Sequence, residues 1–180
     1  MVAGFGGQGI LFLGKLLAYS GMLESKEVTF FPSYGAEVRG GTANCTVIIS
    51  DEMIGSPIVR NPEVLIVMNE ASLNKFQPRL RKGGLLIFDS SLIREPELRS
   101  DINIVKIPAS EIAASIGDTK YANMVMLSVL LAETGIMKEE SAINALEELT
   151  PARRRKALDA NKEAIIKGRN YIEDKKSKNI

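Results

Sequence analysis

Two glycine-rich stretches hold the residue types that could do chemistry. The first is GFGGQG, Gly4 to Gly9. Its Gly4-x-Gly6-x-x-Gly9 spacing fits the dinucleotide fingerprint, in which glycines let a phosphate approach the backbone and the N–H groups at a helix start receive it. Gly4, Gly6, Gly7, Gln8 and Gly9 are the candidate cofactor-binding residues. The spacing alone is not specific. A nicotinamide cofactor also wants an acidic residue at the end of the second strand, and that strand ends Phe30-Phe31-Pro32-Ser33. Glu27 stands at its start, the wrong end. A tight strand-to-helix turn that binds nothing explains the glycines equally well. Gln8 is the odd residue, because an amide donates and accepts at once; it suits a contact to a neighbour or a ligand.

The second stretch is PSYGAEVRGGTANCTV, Pro32 to Val47. Arg39 carries a planar fork suited to carboxylate or phosphate. Glu37 can orient Arg39 or receive a donor. Ser33 and Tyr34 add hydroxyls, and Gly35, Gly40 and Gly41 allow positive φ or close approach of another chain. An internal Glu37–Arg39 surface pair would contribute little, ~0–1 kcal/mol. The concentration of special residues favours a contact instead. Ser33, Tyr34, Glu37, Arg39, Gly40 and Gly41 are therefore the expected substrate- or partner-facing loop, at the strand edge where open α/β sheets bind ligands.

The missing residues narrow the chemistry further. The 180 residues include no His and no Trp, and one Cys, Cys45. Without His, the commonest general acid/base and metal ligand are both lacking. One Cys excludes an internal disulfide framework and a four-cysteine iron–sulfur site. No catalytic residue and no metal ligand are assigned. No apolar run approaches the ~20 residues needed to span a bilayer. A cytoplasmic location is expected, with no membrane and no nucleic acid as partner. Net charge is +1 but uneven. From Pro151 onward there are ten Lys/Arg and four Asp/Glu, leaving 13 basic and 18 acidic of the chain's 23 and 22. A basic tail behind an acidic body marks either a partner contact or a solvated helix face.

The elements that must position these loops read as a doubly wound, Rossmann-like α/β sheet followed by C-terminal helices. Met1-Val2-Ala3 is a short first strand, and a helix with Ile10, Leu13 and Leu17 on one face follows the glycines. Further strands are expected at Glu27–Pro32, Ala43–Ser50, Val64–Met68, up to Phe88 and Ile102–Ile107. A helix over 71–80 follows the fourth strand. Ser110 is expected to cap a short helix over 111–116. YANMVMLSVLLAETG reads as a core helix, with Met124 and Met126 inside. In the last helix Ala157-Leu158, Ala164-Ile165 and Tyr171-Ile172 recur every seven residues, a stripe that docks. One domain over 1–173 is expected, with a disordered tail over 174–180.

GFGGQG, the helix segment GKLLAYSG and the stretch PSYGAEVRGGTANCTVIISDEMIGSPIV together resemble the gamma subunit of the 2-oxoacid:ferredoxin oxidoreductases. The resemblance spans nearly the whole chain and is most specific over Pro32–Val59. It implies a reaction in which a 2-oxoacid and coenzyme A give acyl-CoA, carbon dioxide and reduced ferredoxin, with 2-oxoglutarate as the acid. It also implies thiamine diphosphate with magnesium and [4Fe–4S] clusters, on the alpha, beta and delta partner subunits. The chain has too few cysteines for a cluster, and no Gly-Asp-Gly segment with a downstream Asn for thiamine diphosphate. The subunit is thus expected to be non-catalytic and inactive alone. By analogy, Gly6, Gly7, Gln8, Tyr34, Glu37, Arg39 and Gly40 face the assembled active site or the approach of coenzyme A. Two alternatives are a stand-alone nucleotide-binding Rossmann protein and an interaction module built on the basic last helix.

Overall fold

The computed structural model describes residues 1–33 and 42–178. Six strands form one sheet in the order β2-β3-β1-β4-β5-β6. They are β1 (Val2–Gly4), β2 (Glu27–Ser33), β3 (Ala43–Ser50), β4 (Val64–Val67), β5 (Leu85–Asp89) and β6 (Asn103–Ile107). β1, β4, β5 and β6 run parallel. The α/β sheet is as expected, but it is mixed. β3 lies antiparallel to both β1 and β2, which separates β2 from β1. The reason is chain length. A parallel neighbour needs a crossover of a dozen or more residues, and only the nine residues Tyr34 to Thr42 link β2 to β3.

The short strands hold because both faces of the central ones are covered. Val2, Ile66 and Ile87 point to one side, into a large core shared with α1 (Ile10–Leu23), α4 (Ala122–Thr134), α5 (Glu139–Leu149) and α6 (Arg155–Lys178). Ala3, Leu65, Val67, Leu86 and Phe88 point to the other side, where α2 (Glu70–Phe76) supplies Leu73 and Phe76. α2 is shorter than the expected 71–80. It gives way to a 3₁₀ turn at Gln77–Arg79, because Pro78 donates no N–H to an α-helical ladder. Its start is set by Asn69, whose Oδ1 accepts from Ser72 N at 2.7 Å. Pro32 is accommodated inside β2 because that strand lies at the sheet edge.

α4 is buried around nearly its whole girth, from Ala122 to Leu131. Its methionines are core, as the apolar run implied. α1 approaches β3 closely at Gly14, where an added Cβ would stand 2.3 Å from Cys45 Sγ. α6 buries Ala164, Ile165, Gly168 and Ile172 against α4. Three of its cations pair with α4 and α5: Lys162 with Glu147, Arg169 with Glu139 at 2.7 Å and Lys176 with Glu133 at 3.1 Å. The basic segment is thus a docked helix that shares part of its charge with the acidic body. The tail expected to be disordered from 174 is helical through Lys178. Lys175 and Lys176 tether it by donating to the carbonyls of Lys106 and Ala132.

Gly168 is where α6 can come close, since a Cβ there would meet Ser128 Oγ at 2.1 Å and Val125 O at 2.9 Å. Alanine favours a helix over glycine by about 1 kcal/mol, but this clash outweighs it. Gly168→Ala should lower stability by roughly 1–3 kcal/mol in chemical denaturation; an unchanged or raised midpoint would show that α6 does not pack as described.

Candidate functional site

The strand register brings the two glycine-rich stretches to one edge of the sheet. Gly4, at the end of β1, pairs with Ala43, at the start of β3. Ser33, the last residue of β2, pairs with Asn44. The parallel strands β4 and β5 end at the same edge, at Val67 and Asp89. Both ends of the second loop thus emerge beside the glycine loop. Ser33 is exposed there. Tyr34, Glu37, Arg39, Gly40 and Gly41 lie outside the described residues.

Within the glycine loop the five candidate residues divide by what surrounds them. Gly9 caps α1 with φ +73°, and a Cβ on it would stand 2.2 Å from Asn123 Nδ2. Gly4 lies against the Gln8 amide, whose Oε1 would be 2.6 Å from an added Cβ. These two glycines are required by packing. Gly6 and Gly7 face open space, with nothing within 4 Å of an added Cβ. Gln8 donates through Nε2 to Met68 O at 2.9 Å and accepts through Oε1 from Phe5 N at 2.6 Å. It does donate and accept at once, but to its own chain.

The floor of this edge is built from residues that sequence reasoning passed over. Asp89 is fully buried, and its carboxylate accepts from Ser91 N at 3.0 Å, Ser110 N at 3.1 Å and Ser110 Oγ at 2.5 Å. That bond corrects the capping role expected of Ser110. Pro108 occupies the cap position of α3 (Ala109–Ala114), and the Ser110 hydroxyl serves Asp89 instead. Asn123 donates to Gly9 O at 3.3 Å, while its buried Oδ1 has no partner among the described residues. Lys120 pairs with Asp118 at 2.7 Å. The hydrogen bond between them holds Lys120 above its ordinary range and Asp118 below its own, so both are charged at neutral pH. Two signals could have found some of these. Asn69 stands between an apolar strand and Glu70, an N-cap pattern. Asn123 is a lone amide in an apolar helix, which must be doing something to be buried.

Two cavities open beside the loop. One, of about 230 Å³, lies among Gly7, Gln8, Met68, Leu92, Ser110 and Lys120. The other, of about 500 Å³, runs past Gly9, Phe12, Asn123, Arg154 and Asn161. A third of about 360 Å³ sits at the opposite edge, among apolar residues such as Leu17, Val47, Val64 and Leu130, away from both loops. No group of three or more His, Cys, Asp or Glu able to hold a metal stands together among the described residues. The one thiol is buried, and desolvation pushes it up to about 11. This donor set does not fit an iron–sulfur cluster.

The pyruvate ferredoxin/flavodoxin oxidoreductase family matches residues 1–171. The chain belongs to that family. It is 37% identical over 172 residues to the ketoisovalerate oxidoreductase subunit VorA of Methanothermobacter marburgensis, an alignment covering 94% of this chain and 35% of that protein. It therefore spans about a third of the length of the VorA relatives it matches. To the 2-oxoglutarate synthase subunit KorC of the same organism it is 34% identical over 178 residues, covering 93% and 96%. Among solved structures it resembles a chain of the 2-oxoglutarate:ferredoxin oxidoreductase from Magnetococcus marinus, solved with 2-oxoglutarate, coenzyme A and succinyl-CoA bound. The TM-score is 0.83 at 26% identity, over 94% of this chain and 30% of that one. The stand-alone nucleotide-binding alternative lacks the usual dinucleotide arrangement. In this member of the oxidoreductase family β3, not β2, adjoins β1, and no acid ends β2.

The two classes of glycine should separate on substitution. Gly9→Ala should cost about 2 kcal/mol or more, from left-handed backbone and the Asn123 clash, whereas Gly6→Ala should shift stability by less than about 0.5 kcal/mol. Thermal unfolding of both variants checks this; equal losses would mean that the loop root and tip are not distinct. Cys45 should resist a thiol reagent at pH 8 in the native protein and react fully in denaturant. With a pKa of about 11, roughly a thousandth of it is thiolate at that pH. Fast native labelling would contradict its burial between α1 and β3.

Proposed function

We propose that this chain is the non-catalytic gamma component of a thiamine-diphosphate-dependent 2-oxoacid:ferredoxin oxidoreductase. The overall reaction is oxidative decarboxylation of a 2-oxoacid, capture of the acyl group by coenzyme A, and transfer of the released electrons to ferredoxin. The family match across residues 1–171 carries this reading. Convergence of the glycine loop and the two ends of the second loop on one sheet edge supports it.

The chain's own contribution is shape. It offers bare backbone at Gly6 and Gly7, an exposed Phe5 and, in the second loop, Tyr34, Glu37 and Arg39. In this reading thiamine diphosphate with magnesium and the [4Fe–4S] clusters belong to the alpha, beta and delta partners: the chain has one Cys, too few for a cluster, and no group of metal-binding side chains stands together among the described residues. Ferredoxin is met through the complex. No described helix is long and apolar enough to cross a membrane, and the reading is of a cytoplasmic complex.

The acid is 2-oxoglutarate in this reading. Support comes from the KorC relatives, one aligned over 96% of its own length, and from the 2-oxoglutarate-bound structural neighbour. The second candidate is a branched-chain acid, favoured by the 37% identity to VorA. A pull-down from the native cell with mass spectrometry should recover alpha, beta and delta chains. The recovered complex should reduce ferredoxin with 2-oxoglutarate at a kcat/KM at least about tenfold above that with 2-ketoisovalerate. The reversed preference would assign the branched-chain acid. Recovery of this chain alone, or turnover by it alone, would defeat the subunit reading.

Arg39 is the side chain in the second loop best suited to a carboxylate or phosphate. Arg39→Ala should leave the melting temperature within a few degrees, while assembly or turnover falls roughly tenfold or more. A large loss of melting temperature with unchanged turnover per complex would make the loop architectural.

A further inference from the structure

We propose that the N-terminal end of α6 and the cavity beneath it form a docking site for an acidic protein segment that carries one bulky apolar side chain. Arg153, Arg154, Arg155 and Lys156 are successive cations where this helix starts, and all of them are exposed. A helix carries partial positive charge at that same end, so cations there are repelled. The first turn of α6 holds no acid, and Pro151, at the cap position before it, makes no side-chain hydrogen bond. The neighbouring acids are engaged elsewhere. Glu147 pairs with Lys162, and Glu148 accepts from the Tyr19 hydroxyl at 2.5 Å. Asp159, a turn further along, makes no ion pair with the cluster among the described residues. The charge at this helix end is thus unanswered by the described chain, and an anionic partner relieves it.

Size, polarity and the spread of the charge select a protein segment over a small anion. The cavity under Arg154 holds about 500 Å³, far more than one carboxylate or phosphate fills. Its wall joins the half-buried Phe12, Tyr121 and Leu149 to Arg154 and Asn161, so it has room for an apolar side chain beside a charge. Asn123 lines it too. That residue is 4% exposed, its Nδ2 donates to Gly9 O at 3.3 Å, and its Oδ1 has no partner among the described residues. A buried amide oxygen wants a donor, which a peptide N–H supplies and a carboxylate or fully ionised phosphate does not. Successive helical residues also fan around the axis. A compact ion at Arg154 therefore cannot reach Arg153, Arg155 and Lys156 together, whereas carboxylates strung along a chain reach several. Lys120, on the same wall, is already paired with Asp118 at 2.7 Å. In the docked state one carboxylate meets the Arg154 fork, the apolar side chain enters the cavity, and the outer acids meet the remaining cations.

The test needs only the whole chain, isotope-labelled for amide NMR, so it stands or falls separately from the gamma-subunit reading, which the pull-down decides. The probe is a blocked heptapeptide with one phenylalanine between two runs of three glutamates. At about 50 mM salt it should shift the Asn123 side-chain amide and the Gly9 backbone amide, and at about 200 mM salt it should bind several-fold more weakly, because exposed charges are screened. Arg154→Gln should weaken binding roughly tenfold. Arg153→Gln combined with Arg155→Gln should weaken it by a smaller factor, roughly threefold. A peptide with alanine in place of the phenylalanine should bind less tightly than the original. No shift at Asn123 and Gly9 in the wild-type chain overturns the proposal, whatever the variants do. An Arg154→Gln chain that binds the peptide as tightly as wild type overturns it as well, and so does an alanine peptide that binds equally well. Inorganic phosphate that gives the same shifts at the same or lower concentration would assign the cavity to a small anion and overturn the protein segment as its occupant.

Discussion

The fold depends on β3 lying antiparallel between β2 and β1. A link of nine residues cannot cross the sheet to make a parallel neighbour, so the chain folds straight back, and β3 takes the place beside β1. Everything at the candidate site follows from that choice. It returns the second loop to the edge where β1 delivers the glycine loop. It also removes β2 from the position at which a dinucleotide fold would hold ribose hydroxyls. Gly14 permits the arrangement from above, because α1 could not rest on Cys45 and Phe30 with a larger residue there.

One glycine motif turns out to serve two physical purposes. Gly4 and Gly9 answer to their neighbours, the Gln8 amide and the Asn123 amide. Gly6 borders open space, and Gly7 is held at φ +98°, a left-handed backbone that itself favours glycine. The same spacing that suggests a phosphate cradle is thus accounted for by packing at Gly4 and Gly9 and by backbone conformation at Gly7. The root of the loop is tied to β4 by Gln8 and to α4 by Asn123.

The C-terminal helices dock through apolar contacts and share part of their charge with the rest of the chain. α6 carries most of the segment's positive charge, and its ion pairs run to Glu133, Glu139 and Glu147 on α4 and α5 and, within the helix, to Glu163 and Glu173. Such half-exposed pairs stabilise little individually. The docking energy comes from Ala164, Ile165, Gly168 and Ile172, which are buried. Arg153, Arg154, Arg155 and Lys156 have no ion pair among the described residues, and Arg154 lines the cavity that reaches Gly9.

What could be read from the residues alone was whatever local pattern decides. The apolar runs at Val64–Val67 and Leu85–Asp89, the packed helix at Met124–Leu131 and the stripe on α6 were legible, because burial of both strand faces or of one helix stripe leaves a periodic mark. The shortage of metal-binding and thiol chemistry was legible from composition. Tertiary structure decided the rest. Antiparallel pairing of β3 is a relation between strands far apart in sequence. Ser110 serves Asp89 rather than a helix end because β5 brings a buried carboxylate to it, and a carboxylate inside the protein must find donors. Residues 174–178 are helical because Lys175 and Lys176 find carbonyls on other elements. Gln8 is engaged by Met68, sixty positions away. Such contacts leave no local pattern, since hydrogen bonds across elements depend on where the fold places their partners and not on which residues are adjacent in the chain.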